Sequence, residues 1–204
     1  LNLPNNSAQS IQILKMCDAF SGIKNRAVIL FVKFYNKNYS LNKLKKNLIL
    51  KNYFSILSIL NIKKKIFLTN FLYSLLVSFA ILKIKNRDIV YTRVILVSVF
   101  LSILKIHHTL EVHQELSGFT KKIFIFFYKF NKKNYLKIVF INKNLKKYFK
   151  ILKNVPSIVL DDATNYLDFK KKVKTLNNSC AYSGSLTKGK GFDFIIKLAE
   201  NIKH

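Results

Sequence analysis

Cysteine is scarce in this chain: Cys17 and Cys180 are the only two. They lie too far apart for metal-ligand spacing and are too few for a disulfide framework, which suits a reducing compartment. Acidic residues are scarce too, nine against 36 lysines and arginines, for a formal net charge of +27. Such a field draws polyanions: nucleic acid, anionic lipid or phosphorylated substrates. The basic residues are spread along the chain rather than gathered into one arm. Lys, Asn, Ile, Phe and Tyr, the residues AT-rich codons favour, dominate the composition, so much of the charge reads as solvated surface and no nucleic acid partner is expected. Neither a Walker pattern nor Gly-x-Gly-x-x-Gly occurs. The opening Leu-Asn-Leu-Pro-Asn-Asn-Ser is polar and uncharged, unlike a signal peptide. It lacks an initiating methionine, Met16 being the only one, and both ends look cut, so the chain reads as a fragment.

What is present is apolar. Half of the residues are hydrophobic, enough for a sizeable core and against disorder. Leu1 to Leu3 reads as the end of a strand, Pro4-Asn5-Asn6-Ser7 as a loop with Ser7 as N-cap. Ala8 to Phe20 reads as a helix, with Ile11, Leu14 and Cys17 on one face, ended by Ser21-Gly22. Ala27 to Phe34 is a buried strand of the parallel type. Residues 36 to 65 say least; at least one helix and a basic surface are expected there. Strand, loop, helix, strand opens an open α/β domain.

Ile66 to Leu82 carries no charge, at the lower limit of the roughly 20 apolar residues a spanning helix needs. It leads into a strand, Asp88 to Arg93, and then into an uncharged helix, Val94 to Leu104. Helix–strand–helix points to helices buried on a sheet rather than crossing a membrane. His107 to His113 alternates as a strand, placing His107, Thr109, Glu111 and His113 on one face and His108 on the other. No metal is expected, because zinc needs a fitted set of three or four ligands. His113 and Glu115 fall where the strand ends, the place where open α/β sheets bind ligands. Gly118 to Lys133 mixes phenylalanines with lysines. It fits a core-facing helix with snorkelling lysines, a helix lying on an anionic membrane, or a stacking surface for single-stranded nucleic acid. Tyr135 to Ile141 reads as a strand, Asn142 to Lys153 as a lysine-rich helix, Ser157 to Leu160 as a strand and Asp161 to Asn165 as a turn. Lys170 to Asn178 reads as a linker.

Near the end, Cys180 to Tyr182 reads as a strand. A turn follows that bears Gly184, Gly189 and Gly191 with Lys188 and Lys190, and then a helix with Phe192, Ile195, Ile196 and Ala199 on one face. A glycine turn at a helix N-terminus offers unpaired N–H groups and a positive dipole end, and lysine beside it suits phosphate. A tight connection with a solvated lysine is the alternative.

Several of these segments resemble glycosyltransferase family 4. Pro4-Asn-Asn-Ser-Ala-Gln-Ser-Ile-Gln-Ile13 is similar to the family's opening, and Asp88-Ile-Val-Tyr-Thr-Arg93, helix, strand, Glu111-Val-His113 to its middle. Tyr182-Ser-Gly-Ser-Leu186 followed by Lys190-Gly-Phe-Asp193 is similar to the start of its second domain. The resemblance covers nearly the whole chain through the order of its segments. It implies a GT-B fold: a Rossmann-like open parallel sheet with helices on both faces over residues 1–165, a linker over 166–178, and the first strand, turn and helix of a second Rossmann-like domain over 179–204. It further implies a retaining hexosyltransferase of glycan, lipopolysaccharide or surface polysaccharide synthesis, with a nucleotide-sugar donor and a glycan or lipid-linked acceptor.

On that likeness His113 contacts the donor sugar or the reaction centre, and Gly184, Ser185 and Lys190 hold the donor diphosphate. Ser185 stands where many members carry arginine. Asn5, Asn6 and Ser7 line the acceptor side, and Glu115 lies in the cleft. No metal or other cofactor is implied, and the piece by itself is expected to be inactive. The location implied is cytoplasmic, with the inner face of an anionic membrane as a candidate contact. The rival reading is a basic membrane-surface or polyanion-binding module without catalysis.

Overall fold

Apolar β-branched runs that alternate with helix-period segments can bury both their faces only by forming a parallel sheet between helices. The computed structural model describes residues 2–3, 7–23, 27–36, 46, 48–60, 67–85, 89–152, 154–161 and 191–201. The chain divides into two compact units, Leu1–Thr164 and Asn165–His204.

Among the described residues of the first unit every ladder is parallel. β1 (Asn2–Leu3) pairs with β3 (Phe34–Tyr35), and β2 (Ile29–Val32) with β4 (Ser55–Ser58). β5 (Tyr91–Thr92), β6 (His108–Val112), β7 (Tyr135–Phe140) and β8 (Ser157–Val159) form a four-stranded sheet in that order. The helices are α1 (Ala8–Ser21), α2 (Phe67–Lys83), α3 (Ile95–Ile103), α4 (Gly118–Asn131) and α5 (Lys143–Tyr148). The result is a mixed α/β unit of parallel strands flanked by helices.

α1 begins and ends where its sequence says. Ser7 is the N-cap, its Oγ accepting from the Ser10 N–H at 3.3 Å, and Gly22 closes the helix by donating its N–H to the Asp18 carbonyl at 3.1 Å. Leu14 and Cys17 turn inward onto Leu3, Val32 and Phe54. A second core joins Tyr73, Val77 and Ile81 of α2 to Val97 and Leu101 of α3. The largest sets Phe124 and Tyr128 of α4 on Leu110, Ile138, Phe140 and Phe149. Phe124 is wholly buried, and burial of such a ring is worth about 1.5–3 kcal/mol.

α3 ends in a Schellman motif. The Ile106 N–H donates to the Leu101 carbonyl at 2.9 Å and the Lys105 N–H to that of Ser102 at 3.2 Å. Lys105 therefore takes a left-handed φ of 57°, a position glycine usually fills.

Two expectations need correction, and one segment left without an assignment gains one. The strand expected over Ala27 to Phe34 is split at Lys33, whose side chain is 4% exposed because Nζ donates to Thr69 Oγ1 at 2.9 Å and Asn70 Oδ1 at 3.1 Å, both on α2. Ser55–Ser58, given no assignment from its sequence, pairs as a strand. The helix expected over Asn142 to Lys153 stops at Tyr148 and resumes as a 3₁₀ turn, Lys150–Leu152. Phe149 breaks it by leaving the helical region (φ −92°, ψ 42°), which lets Leu145, Phe149 and Leu152 all reach the core.

Among the described residues no helix is long and apolar enough to cross a membrane. The second unit contributes α6 (Phe192–Asn201), entered through Gly191 at φ 76°. The linker over 166–178 and the strand and turn over 179–190 lie outside the described residues, as do residues 37–45, 47 and 61–65 of the stretch 36–65 where at least one helix was expected.

Candidate functional site

The C-terminal ends of adjacent parallel strands bring together side chains far apart in sequence. Tyr91 pairs with Thr109 and Thr92 with Leu110, so Arg93 comes level with Glu111. Alternation then puts Tyr91, Arg93, Glu111 and His113 on one face. Glu111 is the hub. It accepts from Arg93 Nε at 2.7 Å and Nη2 at 2.9 Å, a bidentate pair, and from Tyr91 Oη at 2.6 Å. His113 Nε2 lies 2.6 Å from Glu111 Oε1. An ionised carboxylate has no proton to give, so the imidazole donates through Nε2–H and Nδ1 is left as the ring's other polar atom. Arg93 reaches on to α1, donating from Nη1 to Gln12 Oε1 at 2.9 Å and from Nη2 to Met16 Sδ at 3.3 Å. Phe20 of α1 meets the Tyr91 ring edge-on. α1 thus covers the Glu111 face of the sheet.

The electrostatics follow from burial. Side-chain exposure is 8% for Arg93 and 6% for Glu111. Burial works to raise the Glu111 pKa, but the hydrogen bonds from His113, Tyr91 and Arg93, with the Arg93 charge, outweigh it and hold the carboxyl below its ordinary value. Burial, then the bond to Glu111 and its charge, push the Tyr91 hydroxyl up, so it stays a protonated donor. Cys17 is pushed up to about 12 by burial against the opposing pull of Arg93, and at that value it is an inert thiol. His113 meets solvent, at 22% side-chain exposure.

On the opposite face of β6, His108 is fully buried. Nδ1–H donates to the Ile106 carbonyl at 2.9 Å, so Nε2 accepts from Ser98 Oγ of α3 at 2.8 Å. Burial lowers its pKa against the pull of the Ile106 carbonyl. It is a satisfied core histidine that fastens α3 to the sheet.

The sequence-chosen residues divide clearly. His113 sits in the network. Glu115 is exposed and takes no part in it, and Ser7 caps α1. Asn5, Asn6, Gly184, Ser185 and Lys190 lie outside the described residues. Among the described residues no three His, Cys, Asp or Glu side chains gather to hold a metal. Sequence reasoning passed over Arg93, Tyr91 and Glu111 as functional residues. The signal was there in Tyr-x-Arg and Glu-x-His, two i, i+2 pairs closing consecutive strands. The chain matches no family model, no curated protein and no solved structure.

Proposed function

We propose that the chain belongs to a retaining glycosyltransferase of GT-B architecture, its first unit supplying the acceptor side and its second unit belonging to the donor-binding domain. The observation that carries this reading is the Glu111 hub, which fixes His113 at the C-terminal end of β6. Open α/β sheets bind their ligands at that end of their strands. The order of the segments, with their likeness to family 4, supplies the reaction class.

In this reading Glu111 and Arg93 hold the imidazole plane, and His113 presents Nδ1 toward a sugar hydroxyl or the anomeric region. Gly184, Ser185 and Lys190 bind the nucleotide-sugar diphosphate, with the N-terminal N–H groups of α6 favouring its negative charge. Lysine and backbone donors stabilise the leaving diphosphate as charge develops. The acceptor is a glycan or a lipid-linked glycan.

The test is sugar transfer and calorimetric donor binding across a panel of nucleotide sugars, using the full reading frame that encodes these residues. His113→Ala should lower transfer by about a hundredfold or more while donor binding persists. Lys190→Ala should weaken donor binding itself. A folded protein that binds no nucleotide sugar overturns the proposal.

A further inference from the structure

α2, α3 and α4 pack side by side. Each turns a different set of residues toward the sheet: Tyr73, Val77 and Ile81 from α2, Val97 and Leu101 from α3, Phe124 and Tyr128 from α4. The faces that point away ought to be polar, and they are not. Leu72, Leu76 and Phe79 are 41%, 36% and 44% exposed, Ile103 is 41%, and Phe126 and Phe130 are 57% and 70%. The outer faces also touch, the Phe71 ring meeting Phe100 edge-on at 5.2 Å. An apolar layer of this extent marks an interaction surface.

The charge around it names the partner. α3 and α4 each connect parallel neighbours, so both helices end at the same edge of the sheet. Lysines crowd that edge: Lys105 after α3, Lys129 in the last turn of α4, and Lys132 and Lys133 just beyond. All four are exposed. The chain on either side is poor in acids: the sequence holds no aspartate or glutamate over residues 19–87 or 116–160.

We infer that the outer face of the α2–α3–α4 layer docks on an anionic phospholipid bilayer, phenylalanine and leucine entering the interface while the lysine edge meets the headgroups. Phe and Leu on one face with lysines at its border are the features by which helices lie in such an interface. The inference stands apart from the transfer chemistry, since it uses none of the residues around Glu111.

The chain has no tryptophan, so Phe126→Trp gives a single reporter. With vesicles of phosphatidylcholine plus phosphatidylglycerol, its emission should shift to the blue and the protein should sediment with the lipid. Phosphatidylcholine alone should give little of either, and added salt should weaken both. Phe126→Ser with Phe130→Ser, both exposed positions, should cut partitioning about tenfold at unchanged circular dichroism. Leu72→Ser with Phe79→Ser should act in the same direction from a different helix. Vesicle binding that survives both double variants would reduce the effect to unspecific charge and overturn the inference. So would an absence of vesicle binding, whether the chain stays monomeric or forms a concentration-dependent dimer that the same variants disperse.

Discussion

Arg93 spans three elements with one guanidinium, joining β5 to Glu111 on β6 and to Gln12 and Met16 on α1. Arg93→Ala leaves the Glu111 charge buried with fewer donors, a loss of about 3 kcal/mol in unfolding free energy measured by urea titration. His108 sets a pH dependence of known sign. Its folded pKa is lowered, chiefly by burial, so the unfolded chain takes up a proton at higher pH than the folded one. Its contribution is fully present above about pH 6.5 and is lost as pH falls through the folded value. Thermal melts should weaken on acidification from pH 7, and His108→Gln should flatten part of that slope. The depressed Glu111 carboxyl acts lower still, present above about pH 4.3 and lost as it protonates.

Among the elements, Lys105 closes α3 with a left-handed backbone that costs a lysine about 1 kcal/mol. Lys105→Gly relieves the strain, at the expense of a more flexible unfolded chain. The expected result is a net gain of up to about 1 kcal/mol in chemical denaturation. Periodicity and caps made α1, α2, α3 and α4 legible from sequence, since each buries a face or carries a stop of its own. It read the long strands β6 and β7 equally well. It failed where tertiary partners decide. Ser55–Ser58 is polar at both ends and becomes a strand only because Val28 and the β2 backbone pair with it. Lys33 is a charge inside an apolar run, and its burial depends on Thr69 and Asn70, which lie 36 and 37 positions away. At the site, His113 was singled out because it ends its strand and falls on the histidine of the family 4 resemblance, and the structure sets it beside Glu111. Arg93 and Glu111 were not, because their meeting depends on the register between β5 and β6.

At the scale of the whole molecule, a net charge of +27 repels itself in the folded state. Screening should therefore stabilise the chain. Raising sodium chloride from low to moderate concentration should raise the melting temperature by about 2–4 °C, the equivalent of about 1 kcal/mol in a domain of this size. The same salt series weakens the bilayer contact, so stability and lipid binding should move in opposite directions.

The strands β5, β6, β7 and β8 stand in space in the order in which they are made. During translation each new strand meets an edge already in place, and its crossover helix has emerged just before it. A chain diluted from urea has no such schedule. It must close every parallel ladder across a long crossover, with the apolar helices uncovered meanwhile, which is slow and prone to aggregation. Vectorial synthesis is the route this topology favours, and refolding in the test tube should recover less of the protein than a ribosome delivers.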